Sequence, residues 1–487
     1  SAAMMVDFLR EQGVEATYFI PDRYGEGYGL SEAGMDRAKE FGAELVVALD
    51  CGITDHAEAD YARELGLDLI ICDHHTPGDR IPQATAVLDP KRPDCDYPFE
   101  ALSGCGVGFK LVQATVATLG QSAESVFRHL DLLALSIASD VVPIGGENRV
   151  LMREGLEALA ESPRPGIRAL AEEVDLELSA ISAGKIGWVL GPRINAAGRM
   201  DTAEKAVELL LATNMETGGR LARELEQLNQ QRRFLDERTQ EEAKEKADAL
   251  FAGADRKGLV LYDPDWHLGI LGIVAGRMVD EFYRPVVLLA ENEGELKGSA
   301  RSVSGFNVYD ALAGCEEVLT QFGGHDYAAG MSLPAENLEA FRARFEEVVA
   351  ETITEEQLRP AIKVDAEISL DQISGRFWKV LEQFEPHGPT NPRPVFRGRN
   401  LEVTGDPKEV GSGHLKFAVG GSGAEGTDSY EVIAFGMADR LETVRGSARF
   451  GEPLDLLFQV QRNDWNGRSS LQLKAKDIRL SQKTEES

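Results

Sequence analysis

Short apolar runs that stop abruptly at polar or Gly/Pro residues mark the first hundred positions. Residues 45–49 run into Asp50-Cys51-Gly52, residues 68–72 into Asp73-His74-His75, and residues 86–88 into Asp89-Pro90. The stretches between them, such as 56–65, have helical composition. Strand, helix, strand in alternation predicts a parallel sheet. Ligands of such sheets bind at the carboxyl ends of strands, where Asp50, Asp73, His74 and His75 all fall. Residues 132–139 are apolar nearly all round, which predicts a buried helix ending at Asp140.

The pattern then changes. Residues 215–250 are charged and Leu-periodic, with almost no Gly or Pro after Gly219. They predict a helix of about 30 residues, on the order of 45 Å long, most plainly a solvated rod between two domains. A second α/β region follows, with strands at 259–262 and 285–289. Small-residue turns are expected at Gly298-Ser299-Ala300-Arg301-Ser302 and Gly323-Gly324-His325. Beyond about Arg359, five alternating runs separated by Gly and Asp predict a small barrel, with an OB-fold as the natural form. The expected class is α/β: a parallel-sheet domain (1–214), a connecting helix (215–250), a smaller α/β domain (251–358) and an OB-fold-like β-barrel (359–480). A chain of 487 residues has room for about three domains.

Composition narrows the class. With 43% apolar and 27% charged residues the chain reads as globular. No apolar run reaches the roughly 18–20 residues of a membrane span. Five cysteines, an odd number without a CxxC pair, fit reduced thiols in a cytoplasmic setting. A formal charge of -31 argues against non-specific binding to nucleic acid. A polyanionic substrate would therefore need arginines concentrated where it binds.

The chemistry centres on Asp50 and Asp73-His74-His75. Carboxylate plus imidazole ligands suit Mn²⁺ or a similar divalent ion. Two such ions about 3.5–4 Å apart can serve an attacking water and a leaving oxygen together. The competing reading makes Asp73 a cap and the histidines local packing, but three consecutive ionisable residues at a strand end are hard to explain that way. Asp140 would cost several kcal/mol at the end of a buried helix unless paired or metal-bound. Asp89 precedes a proline and reads as a turn residue. Cys51 and Cys72 read as small core residues. Gly-rich segments bearing Arg suit phosphate, which selects Ser299, Arg301, Gly323 and Gly324. Arg193, Asn195 and Arg199 are expected in a rigid Gly-Pro-Arg loop facing phosphate. Arg23 and Tyr28 lie in a Gly-rich loop, where Tyr28 could stack on a base. Arg232 and Arg233 divide between solvated face and backbone contact. On the barrel, Phe396, Phe417 and Trp465 with Arg397, Lys416 and Arg462 offer a strand-tracking surface, although many of those aromatics must be core.

Residues 48–53, Asp73-His74-His75 and residues 139–143 together resemble motifs two, three and four of the DHH phosphoesterase superfamily. Residues 21–30, 190–199 and 266–275, and Phe322-Gly323-Gly324-His325 with Ala328-Ala329-Gly330, resemble its RecJ branch, the last of these its DHH-associated domain. The likeness spans nearly the whole chain. It implies a single-strand-specific 5′→3′ DNA exonuclease of recombination and repair using two Mn²⁺ or Mg²⁺ ions. It implies that Asp50 bridges the ions and that His74 and Asp140 each hold one, with Asp73 as a further ligand. His75 would orient ligands or substrate, and His325 would lie near the scissile phosphate. Water would then attack the 5′-proximal phosphodiester in line. The expected partners are single-stranded DNA with a 5′ end, a single-strand-binding protein and a RecQ-type helicase, with the chain a monomer and no membrane involved. The family's first motif, an Asp-x-Asp pair, does not stand before residues 1–3; the expectation is that it lies upstream. An oligoribonuclease or cyclic-dinucleotide phosphodiesterase would lack the long helix and barrel. A DHH pyrophosphatase would lack the Gly-Gly-His segment. A non-catalytic single-strand-binding scaffold would be supported only by the missing pair.

Overall fold

The computed structural model describes residues 1–22, 29–161, 163–253, 256–421, 429–465 and 468–481. The chain divides into two compact units: residues 1–142 with 146–360, and residues 143–145 with 361–487.

In the first unit, β1 (Leu45–Leu49), β2 (Asp68–Cys72) and β3 (Ala86–Leu88) form a parallel sheet in that order. Its ladder continues past the strands: Asp50 N donates to Cys72 O at 2.8 Å and Asp73 N to Leu88 O at 3.0 Å. Those bonds place the residues that follow all three strands along one edge. The helices Ala2–Glu11, Gly104–Thr118 and Leu130–Ser139 bury Met4, Phe109, Leu133 and Ile137 beside it. Gly108 lets the second of these helices approach β1, since a Cβ there would lie 2.9 Å from Leu49 Cδ2.

The long helix runs Met215–Phe251, 37 residues, or about 55 Å at 1.5 Å per residue. It is not solvated all round. Leu221, Leu225, Asn229, Arg232, Asp236, Thr239, Ala243 and Ala247 are buried, and their three- and four-residue spacing traces one face. Ala243 and Ala247 belong to the core of the sheet that follows. That sheet has the order β4-β5-β6-β8-β7, with β4 (Leu259–Tyr262), β5 (Val286–Asn292), β6 (Glu295–Arg301), β7 (Gln321–His325) and β8 (Ala328–Pro334). Only β4–β5 is parallel. The segments expected as turns at 298–302 and 323–325 are therefore mostly strand. Their small residues serve close packing instead: a Cβ on Gly298 would meet Leu289 Cδ2 at 2.4 Å and Leu288 O at 2.7 Å.

The second unit contains β9 (Ala366–Glu367), β10 (Phe396–Val410), β11 (His414–Gly421), β12 (Tyr430–Ala434), β13 (Leu454–Trp465) and β14 (Arg468–Leu480). The order β11-β12-β14-β13-β10-β9, with β10 also paired to β11, curls the sheet into a partly closed ring. A helix, Leu441–Phe450, joins β12 to β13. This is an OB-type arrangement. Phe396 and Phe417, two of the aromatics of which many were expected to be core, are core residues at 6% and 4% exposure, packed with Leu415, Val419 and Phe458.

Candidate metal centre

Asp50 sits where β1 ends, in left-handed backbone with φ 69°. Non-glycine residues rarely adopt that region, and when they do the surroundings enforce it. The first turn of the Gly104–Thr118 helix packs directly against Asp50. A Cβ on Gly104 would lie 2.2 Å from Asp50 Oδ1 and 2.6 Å from Asp50 Cα, so only glycine lets helix and strand end meet. Val141, just after Asp140, is likewise left-handed with φ 58°.

His74 faces both carboxylates. Its Nε2 lies 3.1 Å from Asp50 Oδ1 and 3.4 Å from Asp140 Oδ2. Its Nδ1 contacts Leu102 O at 2.9 Å. A carbonyl only accepts, so Nδ1 carries the proton and Nε2 is the nitrogen turned to the carboxylates. A neutral ring would aim a lone pair at two acids; the arrangement is attractive only with a proton or a cation between them. Burial works against a charged imidazole, but the Asp50 hydrogen bond and the Asp140 and Asp50 charges outweigh it and raise His74 above its ordinary value. Burial and the nearby Asp50 charge raise Asp140. Asp50, His74 and His75 each offer a donor atom within 4.8 Å of the others. The donor set thus fits a divalent cation of the Mn²⁺ type, with Asp140 as a fourth donor through its contact with His74.

Asp73, expected as a further ligand, makes its hydrogen bonds within the protein. It is 1% exposed. Its Oδ2 accepts from Ile53 N at 3.0 Å; its Oδ1 accepts from His74 N at 2.7 Å and faces His75 Nδ1 at 2.7 Å. Burial pushes its carboxyl up, but the His75 bond and the Ile53 and His74 amides outweigh it and hold it below the usual range. With both oxygens engaged, Asp73 is suited to fix the orientation of His75. The His75 ring stacks on His325 with centroids 5.9 Å and planes 10° apart. Burial, then the His75 and Lys91 charges, lower His325.

Asp89 forms the expected turn, its Oδ1 accepting from Lys91 N at 2.8 Å. It is also 3% exposed, and among the described residues its Oδ2 has no hydrogen-bond partner. Burial raises its carboxyl to about 6. The strand-end position was a signal that the Asp-Pro pair masked.

Of the phosphate residues, Arg301 is the most clearly presented. Its Nη1 bonds Ser299 Oγ at 2.8 Å and Ala300 O at 2.7 Å. Its Nη2 packs so near Gly272 that a Cβ there would come within 2.5 Å. Burial lowers its pKa. Arg199 Nη1 bonds Gly269 O at 2.9 Å, so both guanidiniums touch the first turns of the Leu268–Phe282 helix. A helix N-terminus with two arginines and a hydroxyl is a ready anion site. Arg193, Asn195 and Arg199 are helical (Gly191–Met200) rather than in a loop, continuing from a π-turn at Ile186–Leu190, with Pro192 in the first turn. Arg193 is tied to Glu226 at 2.6 Å and Asn195 is exposed. Gly324 has φ 147° and a Cβ there would meet Ala328 O at 2.4 Å, whereas Gly323 opens on free space. Arg232 is buried with Asp236 at 3.6 Å, and Arg233 is exposed near Glu237 at 3.7 Å. Arg23 and Tyr28 lie outside the described residues.

On the barrel, Arg397, Lys416 and Arg462 pair with Asp455, Glu431 and Glu382, at 2.7, 2.7 and 3.5 Å. The side chain of Trp465 lies outside the described residues. Among the outward aromatics is Phe435, 49% exposed, edge-on to His414 at 5.0 Å, with Lys474 Nζ 5.1 Å from its ring centre.

Carboxylates and imidazoles at the ends of parallel strands, beside a second sheet that supplies His325 and Arg301, define a metal-dependent phosphoesterase of the DHH class. Family models match in register with this: the DHH family N-terminal domain over residues 1–137, the DHHA1 domain over 255–351 and the RecJ OB domain over 364–477. The chain is 37% identical to the single-stranded-DNA-specific exonuclease RecJ of Dickeya dadantii, covering 97% of this chain and 84% of that protein. It is 35% identical to RecJ of Bacillus subtilis, covering 99% of this chain but only 60% of that protein. The crystal structure of RecJ in complex with Mn²⁺ from Thermus thermophilus matches with a TM-score of 0.81 at 30% identity, over 99% of this chain and 67% of that one. The chain belongs to the RecJ family of single-stranded-DNA-specific exonucleases.

Proposed function

We propose that this chain hydrolyses single-stranded DNA from the 5′ end, in recombination and repair, with two Mn²⁺ or Mg²⁺ ions. The observation that carries this reading is the meeting of Asp50 and Asp140 oxygens at His74 Nε2. Asp50, His74, His75 and Asp140 would hold the ions, which when bound would lower the pKa of water and neutralise phosphate charge. Asp73 fixes the His75 tautomer by taking its Nδ1 proton in a hydrogen bond. His325, from the second sheet, lies against His75 and so meets substrate entering over it. Arg301, Ser299 and Arg199 take the terminal 5′-phosphate at the start of the Leu268–Phe282 helix. The open backbone at Gly323 admits the sugar-phosphate chain. The barrel contributes hold on the strand, and a single-strand-binding protein and a RecQ-type helicase are the partners this role calls for. The test is Mn²⁺-dependent release of nucleotides from a 5′-phosphorylated single strand by the wild type and by Asp50→Ala. Equal rates in the two would end the assignment.

A further inference from the structure

One cation at the centre has no part in that scheme. Lys91 follows Asp89-Pro90 at the carboxyl end of β3, the third strand of the sheet that positions Asp50 and Asp73. The Asp89 Oδ1 bond to Lys91 N at 2.8 Å pins the turn, and Asp89 is itself buried. Pro90 further restricts the backbone between them. Lys91 is half-buried, and among the described residues no carboxylate lies within ion-pair distance of it, in a chain of net charge -31. Its positive charge bears on Asp89, His74, Asp140 and His325, groups from four separate segments. The ends of β2 and β3 are neighbours, Asp73 N donating to Leu88 O at 3.0 Å, so the turn that carries Lys91 lies beside the strand end that carries Asp73 and His74.

Such a cation is out of place as mere structure. Near Asp89 in the chain and within electrostatic reach of Asp140, a lysine with four rotatable bonds could fold onto either carboxylate. The pinned turn holds it instead where an anion would arrive. Resting on the function proposed above, we propose that Lys91 is a catalytic residue: its ammonium contacts a non-bridging oxygen of the scissile phosphodiester. In hydrolysis a bond forms from water oxygen to phosphorus as the bond from phosphorus to the 3′-oxygen breaks. Water gives up a proton, the departing 3′-oxygen gains one, and the new 5′-phosphate keeps the added oxygen. No proton is asked of Lys91; it stabilises the charge that builds on the equatorial oxygens.

The test compares Lys91→Met and Lys91→Arg with the wild type on a 5′-phosphorylated oligonucleotide in Mn²⁺. Lys91→Met is expected to lower kcat by about 10²–10³-fold with KM within about 3-fold, since one preorganised donor is lost. Lys91→Arg is expected to recover to within about 10-fold. Thermal midpoint and half-saturating Mn²⁺ should not change in either. Should Lys91→Met fail to fold, Lys91→Gln carries the same expectation. An active wild type with an equally active Lys91→Met overturns this proposal alone. So does Lys91→Arg as poor as Lys91→Met with both melting early, which is the mark of a structural role. A wild type that leaves the strand intact overturns the parent reading and this one with it.

Discussion

Replacing Gly104 by alanine tests the centre without touching any group that would bind metal or DNA. The added Cβ would stand 2.6 Å from Asp50 Cα and 2.2 Å from its Oδ1. Comfortable contact between carbons is about 3.5–4.0 Å. Helix and strand end must therefore part by about 1 Å, and Asp50 cannot rotate clear because its left-handed backbone already has little freedom. A misplacement of that size costs about 10²-fold in rate. Overpacking costs about 1–3 kcal/mol, and alanine's better helix propensity returns up to about 1 kcal/mol. The midpoint should thus fall by only a few degrees, at about 2–4 °C per kcal/mol. The assay is a Mn²⁺ titration of nucleotide release, run beside a melting curve. Gly104→Ala with wild-type rate and unchanged half-saturating Mn²⁺ would refute the claim that Asp50 is a ligand held by that contact.

Asp89→Asn is expected to stabilise the metal-free protein at neutral pH. A carboxyl raised to about 6 in the folded state lets the unfolded chain ionise first, so stability falls as pH rises from about 4 to 6 and stays low above that. Two units correspond to up to about 3 kcal/mol at pH 7, which urea unfolding at pH 5 and 7 should show vanishing in the variant. Arg301→Ala should erase most of the preference for a 5′-phosphate over a 5′-hydroxyl, about 10–100-fold from a lost charged hydrogen bond, read as the ratio of kcat/KM on the two ends. Phe435→Ala should weaken oligothymidylate binding by about 1–3 kcal/mol in an anisotropy titration; unchanged affinity would move the stacking surface elsewhere.

The strand ends were legible because period and punctuation are local. Residues 45–49, 68–72 and 86–88 each end where an apolar run meets Asp, and the structure has β1, β2 and β3 there. Non-local packing was not legible. Gly298 to Arg301 look like a turn by composition, yet they are strand, and Gly298 is small where β5 lies against it. Arg193 and Arg199 follow Gly-Pro, which reads as a break, but proline in a helix's first turn is no break. Phe396 and Phe417 against Phe435 could be sorted only by the face each turns to the ring. Nor could any local pattern show that the end of β1 packs against Gly104, which is 54 residues further along the chain.

The Met215–Phe251 helix has a consequence of its own. One face of a single rod is buried from Leu221 to Ala247, and its far end is built into the core of the sheet bearing His325. Rotational phase is thereby locked. One residue inserted near Arg233 would turn everything beyond it by about 100°, and seven would restore the phase but advance it by about 10 Å. Neither returns His325 to His75. A family free to vary its loops therefore has almost no freedom to change the length of this helix, which makes its residue count a gauge of whether a distant relative can still assemble the centre.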